Sequence, residues 1–201
     1  MKEAALVLGG YLLGSMPFGY WLVRATKGVD IRTVGSGNIG ATNVWRTYGK
    51  AYGLPIVVLD VGKGFVPAFV ATQAAGELVG VLAGGAAMLG HWRPLFLRFS
   101  RGGKMVATGG GAFLGVAPAF GALGVALWIL LFAATRYASV ASIGSGVLLP
   151  FVALGLGAPW PVVAFAAVSG TAVVVLHRAN IARLRAGTER RFRLGARTRA
   201  G

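Results

Sequence analysis

Long apolar runs separated by short polar stretches dominate the chain. Seven runs stand out, at about Ala4–Val23, Leu54–Thr72, Leu78–Leu89, Met105–Val116, Ala122–Thr135, Ser139–Leu156 and Val162–Leu176. Each reads as a helix in an apolar medium. Several are shorter than the ~20 residues of a perpendicular crossing. Tilt, bilayer thinning or adjoining apolar loop residues then make up the length. Pro118 with Gly121, and Gly157-Ala158-Pro159, mark turns. In the first long polar stretch, Thr42 or Asn43 is placed to N-cap a short helix that Gly49 ends.

Composition turns this pattern into a fold class. The chain has 201 residues, 56% hydrophobic and 12% charged, with a mean hydropathy of +0.71. A soluble domain carries about twice that charged fraction. The expectation is a single all-α membrane domain over residues 1–201, built as a seven-transmembrane-helix bundle. The 33 glycines suit close helix packing in a bilayer. Cysteine is absent, which excludes disulfides and thiolate metal sites. Two histidines and five acids leave little for any other metal site, so no metal and no cofactor is expected.

The net charge of +15 raises nucleic acid as a partner. That partner needs a basic stripe on a soluble surface, and these cations sit between apolar runs. With seven crossings they gather on one side. Segments 24–53, 91–104, 136–139 and 177–201 hold nearly all of them, while the opposite turns TQAAGE, APAF and GLGAPW hold no Lys or Arg. The positive-inside rule then puts the N-terminus out and the C-terminus in. Arg24 and Lys27 follow the first run without a small-residue cleavage site, so it reads as a retained helix and not a signal peptide.

Five polar motifs lie in those segments or at their edges. GSGNIGATNVWRTYGK, Gly35 to Lys50, is the densest. Its glycines let backbone N–H groups form an anion-binding concavity. Ser36, Asn38, Thr42 and Asn43 add neutral donors, and Arg46 a planar fork suited to phosphate. A plain flexible loop is the competing reading. Gly35-x-Gly37-x-x-Gly40 also matches a dinucleotide fingerprint, but that needs flanking strands and a βαβ unit. Asp60 and Lys63 share a helix face and read as a structural ion pair bracing the cytoplasmic end of the second run. Arg101-Gly102-Gly103-Lys104 opens the fourth run, and free N–H groups there suit an anion. In RYASVAS, Ser139 is placed as an N-cap and Ser142 as a donor one turn on. In HRANIARLRAGTE, a continuing helix puts His177 and Asn180 on one face, with Arg183 or Leu184 beside them.

Taken in order, GSGNIGATNVWRTYGK, LDVGKG, GHWRPLF…GGKMVAT, RYASVAS and HRANIARLRAGTE resemble the bacterial acyl-phosphate:glycerol-3-phosphate acyltransferase family (the PlsY type) over most of the chain. The resemblance implies a seven-helix inner-membrane enzyme with its active site at the cytoplasmic face. It would transfer a fatty acyl group from acyl phosphate to the 1-hydroxyl of glycerol 3-phosphate, giving lysophosphatidic acid and phosphate. It also implies that Ser36, Gly37, Asn38, Gly40, Thr42 and Asn43 surround a substrate phosphate with Arg46. Gly102, Gly103 and Lys104 would make a second wall, and Ser142 would add a hydroxyl. His177 and Asn180 would position glycerol 3-phosphate, and Glu189 would brace the tail. Met105 departs from the family pattern, which has a small residue there, and Ser100-Arg101 lengthens the approach to Gly102 by one residue.

Neither histidine is followed by an acid in a His-x4-Asp arrangement, since the fifth residues on are Phe96 and Ala182. The expected mechanism is therefore direct transfer by positioning and electrostatics. Acyl phosphate and glycerol 3-phosphate are the expected partners, together with membrane lipid around the acyl tail. No obligate protein partner is evident. Two competing readings are an acyl-serine route through Ser36 or Ser142 and an anion or organophosphate transporter. A transporter commonly has a midplane site and internal repeats, and no repeat is visible here.

Overall fold

The computed structural model describes residues 1–192, and the last nine residues of the basic tail lie outside the described part. Ten α-helices follow in order: α1 Lys2–Gly14, α2 Phe18–Lys27, α3 Ala41–Tyr48, α4 Lys50–Ala75, α5 Glu77–Trp92, α6 Val106–Val116, α7 Pro118–Thr135, α8 Ala138–Gly155, α9 Trp160–Leu176 and α10 Arg178–Arg185. Short 3-10 turns cover Ile31–Thr33 and Leu95–Leu97. The protein is all-helical, and large apolar side chains such as Val58, Ile129, Leu130, Phe151 and Val168 stay exposed on its flanks. Exposed apolar flanks are what lipid contact requires.

Among the described residues, four segments are long and apolar enough to cross a bilayer: Lys2–Lys27, Lys50–Ala75, Pro118–Thr135 and Ala138–Gly155. A fifth arises if α9 and α10, bent by 57°, are taken as one. α5 has 16 residues and α6 has 11, both shorter than the ~20 of a perpendicular crossing.

Several boundaries differ from the sequence reading, each for a visible reason. The first apolar run is not one helix. It breaks at Ser15-Met16-Pro17, because Pro17 has no N–H to continue α1 and caps α2 instead. α7 starts at Pro118 and not beyond Gly121, since proline suits the first turn of a helix. α3 is capped by Gly40, with neither Thr42 nor Asn43 in that position, while Gly49 does end it. α8 is capped by Tyr137, which frees Ser139 for another contact. The chain also bends at His177 where a continuing helix was expected.

α4 is the central post, touching α1, α2, α3, α5 and α6. Its seam with α6 depends on small residues. A Cβ at Gly64 would overlap the Thr108 carbonyl, and one at Gly111 the Val61 carbonyl. Backbones this close gain van der Waals contact without needing a hydrophobic driving force between helices. Two cores result. The larger joins Met88, Phe113, Val162 and Phe165. The smaller joins Val23, Ile31, Ile39, Val44 and Ile56, and it lies under the glycine-rich loop. Ile31 and Val44 are fully buried and Ile39 is 2% exposed, so these side chains pin an otherwise polar loop to α4.

Candidate active site

The loop from Gly35 to Gly40 is folded by its own asparagines. Asn43 is buried, and its Oδ1 accepts the Ser36 N–H at 2.9 Å. Its Nδ2 donates to the Val34 and Asn38 carbonyls at 3.0 and 2.9 Å. Asn38 in turn accepts the Gly40 N–H at 2.7 Å. Gly35 and Gly37 hold φ of 65° and 69°, which a side chain would resist. Asn43 and Asn38 therefore build the loop with the groups expected to meet phosphate. What they leave open is the Ser36 hydroxyl, the exposed Thr42 and the N–H groups of Ala41 and Thr42 at the start of α3, none of which has a partner among the described residues.

The second wall is anchored on α5. Gly102 donates to the Trp92 carbonyl and Gly103 to the His91 carbonyl, each at 2.9 Å. A Cβ at Gly103 would overlap the His91 imidazole. His91 was not among the expected site residues, because nothing in its own neighbourhood links it to a glycine pair on the next segment. Met105 holds φ of 69° at the start of α6, a left-handed conformation for a non-glycine residue, and is kept there by burial at 4% exposure.

Lys104 and the last helix form one hydrogen-bonded chain. The Lys104 ammonium donates to Asn180 Oδ1. Asn180 Nδ2 donates to Glu189 Oε1 at 2.7 Å. Ser139 donates to the same oxygen at 2.8 Å, and Arg183 Nε donates to Oε2 at 2.7 Å. Glu189 thus joins α8, α10 and the α6 approach, a wider role than bracing the tail. Burial pulls its pKa up, but the bonds from Asn180, Ser139 and Arg183 outweigh that and hold it below the usual carboxylate range. Asn180 has both ends of its amide engaged within the protein, so it orients Lys104. Burial, reinforced by Arg183, Arg101 and Arg46 and opposed by Glu189, lowers the Lys104 pKa to about 8.

His177 lies at the bend and is 4% exposed. Its Nδ1 is 2.8 Å from the Val173 carbonyl, so Nδ1 carries the proton and Nε2 the lone pair. Arg46, on α3, donates from Nη2 to the Arg190 carbonyl at 2.8 Å, and its Nε is buried with no acceptor among the described residues. A cleft of about 540 Å³ lies between Arg46 and the segment from Gly187 to Arg191.

Ser142 and the supporting pair Asp60 and Lys63 are engaged elsewhere. The Ser142 hydroxyl donates to the Ala138 carbonyl at 2.7 Å and accepts from Trp128 Nε1 at 3.1 Å, tying α8 to α7. Asp60 and Lys63 form a buried pair at 2.8 Å, but near the middle of α4 and not at its end. Lys63 also donates to the Met16 carbonyl at 3.0 Å, so the pair braces the break between α1 and α2. Among the described residues no group of three His, Cys, Asp or Glu is placed to hold a metal ion.

The glycerol-3-phosphate acyltransferase family matches residues 4–187. The chain belongs to that family. A glycerol-3-phosphate acyltransferase from Desulforudis audaxviator is 46% identical over 190 residues, covering 93% of this chain and 94% of that one. One from Aquifex aeolicus is 44% identical over 197 residues, covering 96% of this chain and 100% of its own. A crystal structure of PlsY, described as an integral membrane glycerol 3-phosphate acyltransferase in its glycerol 3-phosphate form, superposes with a TM-score of 0.91 at 41% identity over 96% of each chain. A second, in the lysophosphatidic acid form, gives a TM-score of 0.88 at 40% identity, again over 96% of each chain.

Proposed function

We propose that this family member transfers a fatty acyl group from acyl phosphate to the 1-hydroxyl of sn-glycerol 3-phosphate, giving lysophosphatidic acid and inorganic phosphate. The observation that carries the reading is the gathering of three cations at one carboxylate: Arg183 bonds Glu189 directly, Lys104 reaches it through Asn180, and Arg46 is tied to the carbonyl of the adjoining Arg190 across the cleft. Two phosphate-bearing substrates need such a cationic cup. One carboxylate at its floor keeps the cations together when no anion is bound.

The step is direct. The substrate hydroxyl oxygen attacks the acyl carbonyl carbon, the carbon–oxygen bond to phosphate breaks, and the hydroxyl proton leaves on that phosphate. Lys104 and Arg46 offset the charge on the carbonyl and the departing phosphate. With Nδ1 held on the Val173 carbonyl, His177 Nε2 is left with a lone pair that can accept a hydrogen bond from a substrate hydroxyl. Ser36, Thr42 and the first N–H groups of α3 hold a phosphate at a helix N-terminus.

The site lies at the cytoplasmic face of a bacterial plasma membrane, in a bundle of seven crossings with the N-terminus outside. The acyl tail stays in lipid. Purified protein given palmitoyl phosphate should release phosphate only when glycerol 3-phosphate is present. Ser36→Ala and Lys104→Ala should each abolish turnover while the protein stays folded in detergent. A transporter would release none. A trapped acyl-enzyme with ping-pong kinetics would replace direct transfer by an acyl-serine route.

A further inference from the structure

Arg46 is held by a short strap that follows α10. The Arg46 Nη2 donates to the Arg190 carbonyl at 2.8 Å, and its guanidinium carbon lies 5.5 Å over the ring of Phe192. Phe192 is itself docked from three sides. Its ring meets Trp45 of α3 edge-on at 5.7 Å and Phe132 of α7 edge-on at 5.4 Å. Its N–H donates to the carbonyl of Arg136 at 2.7 Å. Only 8% of the residue is exposed. A phenylalanine this well seated, in a run of arginines, is a fixed platform and not a lipid anchor.

We infer that Phe192 is a positioning residue for Arg46, fixing the plane of the guanidinium so that its fork faces the site. The inference rests on the reading of Arg46 as a substrate-phosphate group. An arginine has long, soft torsions, and a planar fork grips phosphate with two bonds only when its plane is set. The Phe192 ring sets that plane from one face by cation–π attraction. The Arg190 carbonyl sets its rotation about the side-chain axis. Glu189, three residues before Phe192, anchors the start of the strap to α8 and α10. The strap thus couples the glycine-rich loop's helix to the α7–α8 corner, two parts of the chain that no covalent neighbour joins.

The test compares Phe192→Leu, Phe192→Trp and Arg46→Lys in the full chain in detergent, with KM for each substrate, kcat and thermal stability measured. Phe192→Leu keeps an apolar plug but removes the π face. It should lower kcat/KM about tenfold, raising KM for the same substrate as Arg46→Lys does and leaving the other KM unchanged. Phe192→Trp should restore most of the loss. The double variant Phe192→Leu/Arg46→Lys should be no worse than Arg46→Lys alone, because the two residues act as one unit. Wild-type kinetics in Phe192→Leu, or losses that multiply in the double variant, would overturn the inference while leaving Arg46 in the site. Wild-type kinetics in Arg46→Lys would instead remove Arg46 from the substrate site, and the basis of the inference with it.

Discussion

Lys104 sets an upper pH limit. Its pKa is lowered by burial to about 8, so the ammonium proposed to meet phosphate is present below that pH and lost above it. kcat/KM for glycerol 3-phosphate should fall by about tenfold per pH unit on the alkaline side. Folding responds with the opposite sign. The unfolded chain keeps the Lys104 proton up to the ordinary 10.5, so between about 8 and 10.5 stability rises with pH. An alkaline loss of activity with no loss of stability is therefore the expected pair of curves, and a flat activity profile across that window would take Lys104 out of the chemistry. Gly103 gives a second test at this scale. An alanine there must push back either the His91 ring or Lys104, and a shift of about 1 Å in a positioning group costs about a hundredfold. Gly103→Ala should show that loss in kcat/KM together with a lowered thermal midpoint, because the buried His91 ring is overpacked at a cost of about 1–3 kcal/mol. The Gly102-Gly103-Lys104 motif was legible in the sequence, because glycines before a helix are a local signal. The role of His91 was not, because its contact with Gly103 depends on how α5 meets the following loop. Asn43 was legible as polar loop chemistry, yet only the folded loop reveals that its amide is spent on backbone.

Among elements, the break between α1 and α2 carries the sharpest consequence. It leaves the Met16 carbonyl without a helical partner, and Lys63 supplies one while paired with Asp60. Lys63→Ala would strand both the carbonyl and a buried carboxylate, at a cost of about 3–5 kcal/mol. Asp60→Asn/Lys63→Met removes both charges and should be clearly more stable than Lys63→Ala, read as thermal midpoints in detergent. If the single and double variants melt together, the pair is not bracing the break. Pro17 announced this break in the sequence, but a long apolar run on both sides hid it. Spacing made the Asp60–Lys63 pair legible on one helix face. It could not say that the pair's third partner is a backbone carbonyl far away in sequence. Likewise Ser139 reads as an N-cap from local pattern, and only the return of Glu189 onto α8 changes its role.

For the whole molecule, contacts among the four basic segments bear on how many times the chain crosses. Arg32 donates to Ser100, joining segment 24–53 to 91–104. Lys104 reaches Asn180, joining 91–104 to 177–201. Ser139 donates to Glu189, and Phe192 to Arg136, joining 136–139 to the tail. All four segments therefore meet at one end of the bundle. Between successive segments lie two helices each time, α4 with α5, α6 with α7, and α8 with α9. We propose that each pair goes out and returns, which with the first run makes seven passages, although α5 and α6 are short. Charge supports the same count, since leaving the arginines of 91–104 at mid-bilayer would cost about 2.5–3.5 kcal/mol apiece. The absence of cysteine makes the test clean. Single cysteines at Gln73, Ala119 and Pro159 should react with a membrane-impermeant maleimide on intact cells. Cysteines at Lys50, Arg101 and Arg185 should react only after permeabilisation. Position 101 decides the matter: if it stays unlabelled on both sides, α5 and α6 form a re-entrant pair and the number of crossings drops to five, whereas labelling from the inside fixes the cup of cations at the cytoplasmic surface, where soluble glycerol 3-phosphate and a lipid-borne acyl donor can both reach it.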